Sequence, residues 1–273
     1  MSPLTRILTF TGLLVVAFAA AAVAGRAIEP RGAAPAAEEE AGHMAAAEPD
    51  LVRGLGVAED ELRVVVEQPE LRRGRAETLR FRILGEGGDT VRDFDVEHEK
   101  RMHLILARRD LTGFQHLHPT QGADGTWSAP VRLDEAGSYR LFADFSHENT
   151  PQTLASDLRV DGNANLEPLP APQPTAVSDG GYDVRLDASG SDLHFAITRD
   201  GKPIKTEPYL GAGGHLVALR EGDMAFLHVH PTAQSRNTVG FGATFPTEGR
   251  YRLFLQFKHE GRVQTVAFTQ AVS

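Results

Sequence analysis

The chain has 273 residues, 28 Lys and Arg against 37 Asp and Glu, a formal net charge of -9 and no cysteine. That length suits two domains of roughly 100 residues, and an acidic chain without a basic run is a poor partner for nucleic acid, which is bound through clustered cations. The lack of cysteine excludes disulfides, thiolate metal sites, a thiol nucleophile and lipidation at an N-terminal cysteine, so any chemistry must run on His, carboxylates, Met and hydroxyls.

In chain order, MSPLTR places Arg6 ahead of an uncharged apolar run from Ile7 to Ala24 that ends in Ala22-Val23-Ala24. This predicts a signal peptide or signal anchor over residues 1–24, hence an extracytoplasmic protein, secreted or tethered to the outer side of the cytoplasmic membrane. The small-residue ending favours cleavage. Residues 25–50, rich in Ala, Glu and Pro without periodicity, read as a disordered linker.

From residue 51 the pattern changes to short runs rich in β-branched and aromatic residues, bounded by Gly, Asp, Asn and Pro. LRVVVEQ, ETLRFRIL, MHLILARR, TWSAPVRL, YRLFADF and LASDLRV come first, then YDVRL, DLHFAIT, HLVALR, YRLFLQF and VQTVAFTQ. The proline-rich LEPLPAPQPT between the two sets reads as a stiff spacer. The predicted organisation is all-β: a sandwich over 51–164, a linker over 165–175 and a second sandwich over 176–273.

The two sets are copies. A shift of 112 places His103 on His215, His116 on His228, His118 on His230 and His147 on His259 without a gap, and 17 of the 46 positions from 103 to 148 are identical. FQHLHPT and FLHVHPT, YRLF and YRLF, Glu148 and Glu260 all coincide. Asp134–Tyr139, DEAGSY, resembles the tyrosine corner before strand F of immunoglobulin-like sandwiches, and TEGRY at Tyr251 repeats part of it. MHLILAR then becomes strand C, lying between strand F and a C′ strand formed by FQHLH.

Strand periodicity puts His116 and His118 on one face, with His103 opposite on the neighbouring strand and His147 at the end of strand F. The expectation is a four-His cluster per repeat: His103, His116, His118 and His147, then His215, His228, His230 and His259. Ile105, Phe114, Leu141 and Phe145 are expected on the same face in the first copy, and Val217, Phe226, Leu253 and Phe257 in the second. Glu148, Glu260 and His98 are possible additional ligands or acceptors. Converging neutral imidazoles on a rigid sheet are what Cu²⁺ or Zn²⁺ requires, so each repeat is expected to bind a divalent ion, copper or zinc. The competing reading is that the histidines bond loop carbonyls and one another, in a cell-surface structural or interaction protein.

Met102 is discounted as a copper ligand because glycine stands at 214, and His43 and His194 have no repeat counterpart. No GxSxG, P-loop or dinucleotide fingerprint occurs, and Glu148 and Glu260 are the sole candidates for a general base, so a binding protein is expected rather than an enzyme. The opposite strand faces, with Leu104, Leu106, Leu117 and Phe142 and their counterparts, are also apolar. Both faces of these sheets should therefore be covered, by the other repeat in pseudo-twofold packing or by another chain.

HEKRMHLILARRDLTGFQHLHP followed by GTWSAPVRLDEAGSYRLFADF, and YLGAGGHLVALREGDMAFLHVHP followed by YRLFLQF, resemble a group of exported proteins of high-GC Gram-positive bacteria. The resemblance spans nearly all of residues 55–273. Members are described as secreted or membrane proteins, at times as heavy-metal-binding or copper-associated, so it implies an extracytoplasmic location and metal handling.

Overall fold

The structure, a computed structural model, describes residues 52–234 and 237–273, with the backbone alone for His228, His230, Ala233 and Gln234. The export segment over 1–24 and the linker over 25–50 expected from the sequence lie outside the described residues. Among the described residues no helix is long and apolar enough to cross a membrane.

The first repeat contains β1 (Ala58–Glu59), β2 (Leu62–Val66), β3 (Glu70–Leu71), β4 (Ala76–Leu84), β5 (His103–Arg108), β6 (Gln115–Leu117), β7 (Thr120–Gln121), β8 (Trp127–Arg132), β9 (Gly137–His147) and β10 (Thr150–Val160). The second contains β11 (Thr175–Val177), β12 (Tyr182–Ser189), β13 (Asp192–Arg199), β14 (Lys202–Pro203), β15 (His215–Arg220), β16 (Phe226–His228), β17 (His230–Gln234), β18 (Thr238–Gly242), β19 (Gly249–His259) and β20 (Arg262–Val272). Each repeat is a sandwich of two sheets. Repeat 1 has orders β1-β2-β4-β8-β7 and β3-β10-β9-β5-β6, and repeat 2 has β11-β12-β13-β18-β17, with β14 on β13, and β16-β15-β19-β20. The strand taken as C, β5, lies between β9 and β6 as an immunoglobulin-like order requires. The all-β tandem sandwich architecture is what the sequence pattern predicts.

Local chemistry explains the two kinds of strand. In β4 the side chains alternate, with Leu79, Phe81 and Ile83 buried in the core and Arg80 and Arg82 on the other face, which is the pattern of a one-sided sheet. All six residues of β5, HLILAR, are buried. Leu104 and Leu106 fill the core of the first sandwich, whereas Ile105 and Ala107 face the second repeat. Both tyrosine corners are formed: the Tyr139 hydroxyl donates to the Glu135 carbonyl at 3.0 Å and Tyr251 to Thr247 at 2.9 Å.

The outer faces of the β9-β5-β6 and β16-β15-β19 sheets close on each other in a third apolar cluster. Ile105, Phe142 and Ala155 of repeat 1 meet their counterparts Val217, Phe254 and Ala267 there. Phe114 stacks on Phe254 at 4.0 Å between centroids, and Phe142 meets Phe226 at 5.5 Å. An offset of 112 exchanges one pair for the other, so the repeats are related by a pseudo-twofold axis. Arg53 extends the joint, its carbonyl accepting from Phe226 N at 2.9 Å.

The proline-rich connector is anchored rather than a free spacer. Leu169 packs on the interface cluster, and Asp110 accepts from the Glu167 backbone at 2.8 Å. Asp110 also holds the buried Arg108 guanidinium at 2.7 Å, fixing the β5–β6 turn. Burial alone would raise this carboxyl; Arg108, the Glu167 N–H and the Thr112 hydroxyl together bring it down to about 2.

The face assignment of β9 corrects one expectation. His103 pairs with Asp144, so even-numbered residues of β9 share its face, while Tyr139, Leu141, Ala143 and Phe145 point into the core. Leu141 and Phe145, with Leu253 and Phe257 in the second copy, therefore lie on the opposite face from the one predicted, because a displacement by one residue reverses every side chain of a strand.

Two substitutions test this account. Gly54, at φ +69°, leaves room for a Cβ only 2.8 Å from Phe142 Cδ1 and Phe226 Cβ. Gly54→Ala should cost about 1–3 kcal/mol in chemical denaturation, as overpacking does. Asp110→Ala leaves Arg108 with Glu135 at 3.8 Å as its remaining carboxylate and should cost about 3 kcal/mol by the same measurement.

Candidate functional site

The histidines gather where the repeats meet, at the end of the apolar joint. His103 opens β5 on the face directed at repeat 2, and His116 lies on β6 opposite Ile105. His118 follows two residues later, just before Pro119 turns the chain into β7. One ligand atom from each of these three imidazoles can be chosen so that all lie within 4.8 Å of one another. His215, at the start of β15, stacks on His103 at 5.6 Å with 6° between planes and lies 4.7 Å from His116. His98 stands 6.1 Å from His103 and 5.8 Å from His215. His103 and His215 are exchanged by the 112-residue offset, so the cluster straddles the pseudo-twofold axis.

Among the described residues, where one cluster per repeat was expected, His98, His103, His116, His118 and His215 form a cluster that draws on both repeats. The side chains of His228 and His230 lie outside the description. His147 and His259 are not in the cluster. His147 is three residues beyond Asp144, so it falls on the core face of β9, where Nδ1 bonds the Asp93 carbonyl at 2.9 Å. His259 Nδ1 bonds the Tyr182 hydroxyl at 2.8 Å. Glu148 turns the β9–β10 hairpin with φ 52°, and Glu260 pairs with Arg199 at 2.7 Å.

Two polar residues missed by the sequence reading complete the site. Asp144 and Gln256 occupy the same place in β9 and β19, opposite His103 and His215. Asp144 accepts from Thr153 at 2.8 Å, and Gln256 donates to Thr265 at 3.2 Å, again equivalent across the offset. Gln256 Oε1 reaches across the joint to His116 Nδ1 at 2.7 Å. The available signal was a polar residue in both copies of an otherwise apolar run, YRLFADF and YRLFLQF.

Two ring nitrogens meet oxygen atoms: His116 Nδ1 lies 2.7 Å from Gln256 Oε1 and His103 Nε2 lies 3.2 Å from the Glu97 carbonyl. The remaining nitrogens, His103 Nδ1 and His116 Nε2, are 3.0 Å apart. His118 Nε2 is buried with no hydrogen-bond partner among the described residues. Two nitrogens at ~2.0–2.1 Å from one tetrahedral zinc ion lie about 3.3 Å apart, close to the observed separation. The outer ring N–H groups bonded to oxygen acceptors match the arrangement that orients metal-bound imidazoles.

Protonation is disfavoured. Burial, then the neighbouring His103 and His118, push His116 down to about 3 despite the Gln256 bond. Burial, His103 and Lys100 push His118 down to about 4. An unfolded histidine titrates near 6.5, so below that pH the unfolded chain takes up protons that the folded chain refuses. Stability should be fully present above about pH 6.5 and fall by up to ~1.4 kcal/mol per pH unit per histidine between there and about pH 4. Urea titrations at pH 7.5, 6 and 5 should show this slope, and His116→Gln should flatten it.

A family profile described as a domain of unknown function, DUF8832, matches residues 57–162 and again 176–273. No curated protein matches the sequence. Among solved structures, the Escherichia coli adhesin FdeC aligns at 14% identity with a TM-score of 0.29, over 79% of this chain and 65% of its own. Yersinia pseudotuberculosis InvD aligns at 10% identity and 0.28, over 78% and 57%. A two-domain fibronectin type III segment of chicken tenascin aligns at 10% and 0.24, over 77% and 97%. The chain thus spans less than two thirds of the first two. With both sandwiches matched by the same profile, the chain belongs to the DUF8832 family and carries two copies of its domain.

Proposed function

We propose that this is an extracytoplasmic metal-binding protein that takes one divalent ion, copper or zinc, in the histidine cluster between its repeats, for buffering or delivery. The observation that carries the reading is the convergence of the His103, His116 and His118 imidazoles, one ligand atom of each lying within 4.8 Å of the others. The donor set, imidazole nitrogen without thiolate, suits Zn²⁺ or Cu²⁺. The extracytoplasmic location rests on the N-terminal apolar run. The proposal is for binding and not catalysis.

A second reading, a cell-surface interaction protein in which the cluster is structural, is favoured by the stacking of His103 on His215 and by the continuity of the cluster with the apolar joint. In that case one proton shared between His103 and His116 would replace the ion.

Calorimetric titration of the metal-stripped protein with Zn²⁺ and Cu²⁺ at pH 7.5 decides between them. The metal reading expects about one ion per chain. His116→Ala should abolish binding and His259→Ala should leave it intact. A stoichiometry of two lost equally in both variants would restore one site per repeat, and no binding at all would leave the structural reading.

A further inference from the structure

Next to the cluster, a cavity of about 270 Å³ is lined in part by Lys100, Arg101, His118, Gln121 and Trp127. Two of its polar atoms, Trp127 Nε1 and Gln121 Nε2, are buried and have no hydrogen-bond partner among the described residues. Both are donors: an indole N–H cannot accept, and an amide nitrogen only donates. Burying a donor unpaired is costly, so such groups in a native structure call for an acceptor from outside the chain. Trp127 is 3% exposed and its ring packs edge-on against Phe94 at 5.2 Å. Gln121 lies opposite Trp127 in the β7–β8 pair, so the donors are held by one register.

The charge around the cavity agrees. Its wall carries two cations and no carboxylate, in a chain whose net charge is -9. The duplication provides an internal control. At the offset of 112, Lys100, Arg101, Gln121 and Trp127 correspond to Ala212, Gly213, Ala233 and Val239, whereas His118 and Pro119 recur as His230 and Pro231. The histidine framework is common to both repeats; the donors and cations belong to the first alone. A purely architectural need of the sandwich would be expected in both.

We infer that the cavity beside His118 is a binding site for a small carboxylate, held by the Trp127 and Gln121 N–H donors and by the charges of Lys100 and Arg101. Charge-assisted acceptance by an anion satisfies both donors at once, and the two cations select against neutral acceptors. The site does not depend on metal in the adjoining cluster.

Trp127 is the only tryptophan of the chain, so its indole N–H gives one resolved cross-peak in a ¹H–¹⁵N correlation spectrum. The metal-stripped protein is titrated with sodium acetate, succinate and inorganic phosphate at constant ionic strength, with sodium chloride as the control. The expected result is a saturable shift of the indole peak with a carboxylate, weakened by roughly tenfold or more in Gln121→Leu and in Lys100→Ala/Arg101→Ala, as loss of a hydrogen bond to a charged group predicts. The paired Lys and Arg variant alters exposed side chains, and an unchanged amide spectrum elsewhere certifies its fold. No shift up to on the order of 50 mM, the same shift with chloride, or full retention in both variants would overturn the proposal and leave the donors to water. Tighter binding of phosphate than of either carboxylate would overturn the ligand class.

Discussion

The structure depends on the burial of one sheet face of each repeat against the other. Phe114 on Phe254 and Phe142 on Phe226 are two halves of a single contact, exchanged by the pseudo-twofold axis. With Ile105, Val217, Leu219 and Met224 they turn what would be solvent-facing sides of two sandwiches into a third core. Removing this apolar surface from water is what favours the docking of the linked repeats. The histidines lie at its end because their strands run into it: β5 carries Ile105 and Ala107 into the joint and leaves His103 at its mouth.

That placement accounts for the chemistry. Imidazoles at the edge of an apolar joint lose water, which penalises the charged form, and each neighbour penalises it further. The outer nitrogens find oxygen acceptors in Glu97 and Gln256, one from each repeat. The inner nitrogens are turned toward one another. Neither repeat alone assembles this arrangement, since the acceptor of His116 comes from β19 of the other.

Much of this was legible in the sequence. The tandem sandwich, the tyrosine corners and the C-between-F-and-C′ order follow from repeat offset, turn residues and period-two patterning. The face of β5 and β6 was readable too, because Ile105, His103 and His116 keep parity across a short hairpin. The face of β9 was not: YRLFADFSH is apolar on both sides, so periodicity gave no parity, and His147 was placed with the cluster when register sends it to the core side. The approach of His215 to the histidines of the first repeat was also hidden, since the outer face of one repeat carries no mark of how its copy docks. Gln256 could be recognised as a partner of His116 only after the joint was built.

The pseudo-twofold axis passes between His103 and His215, and there the two copies are not equivalent. In a symmetric homodimer the residues opposite these histidines would be identical, two acids or two amides, and the site would carry an even number of negative charges. Joining the copies in one chain removes that constraint. Asp144 stands on one side and Gln256 on the other, so the site has a single carboxylate and a direction across the axis that no pair of identical subunits could encode.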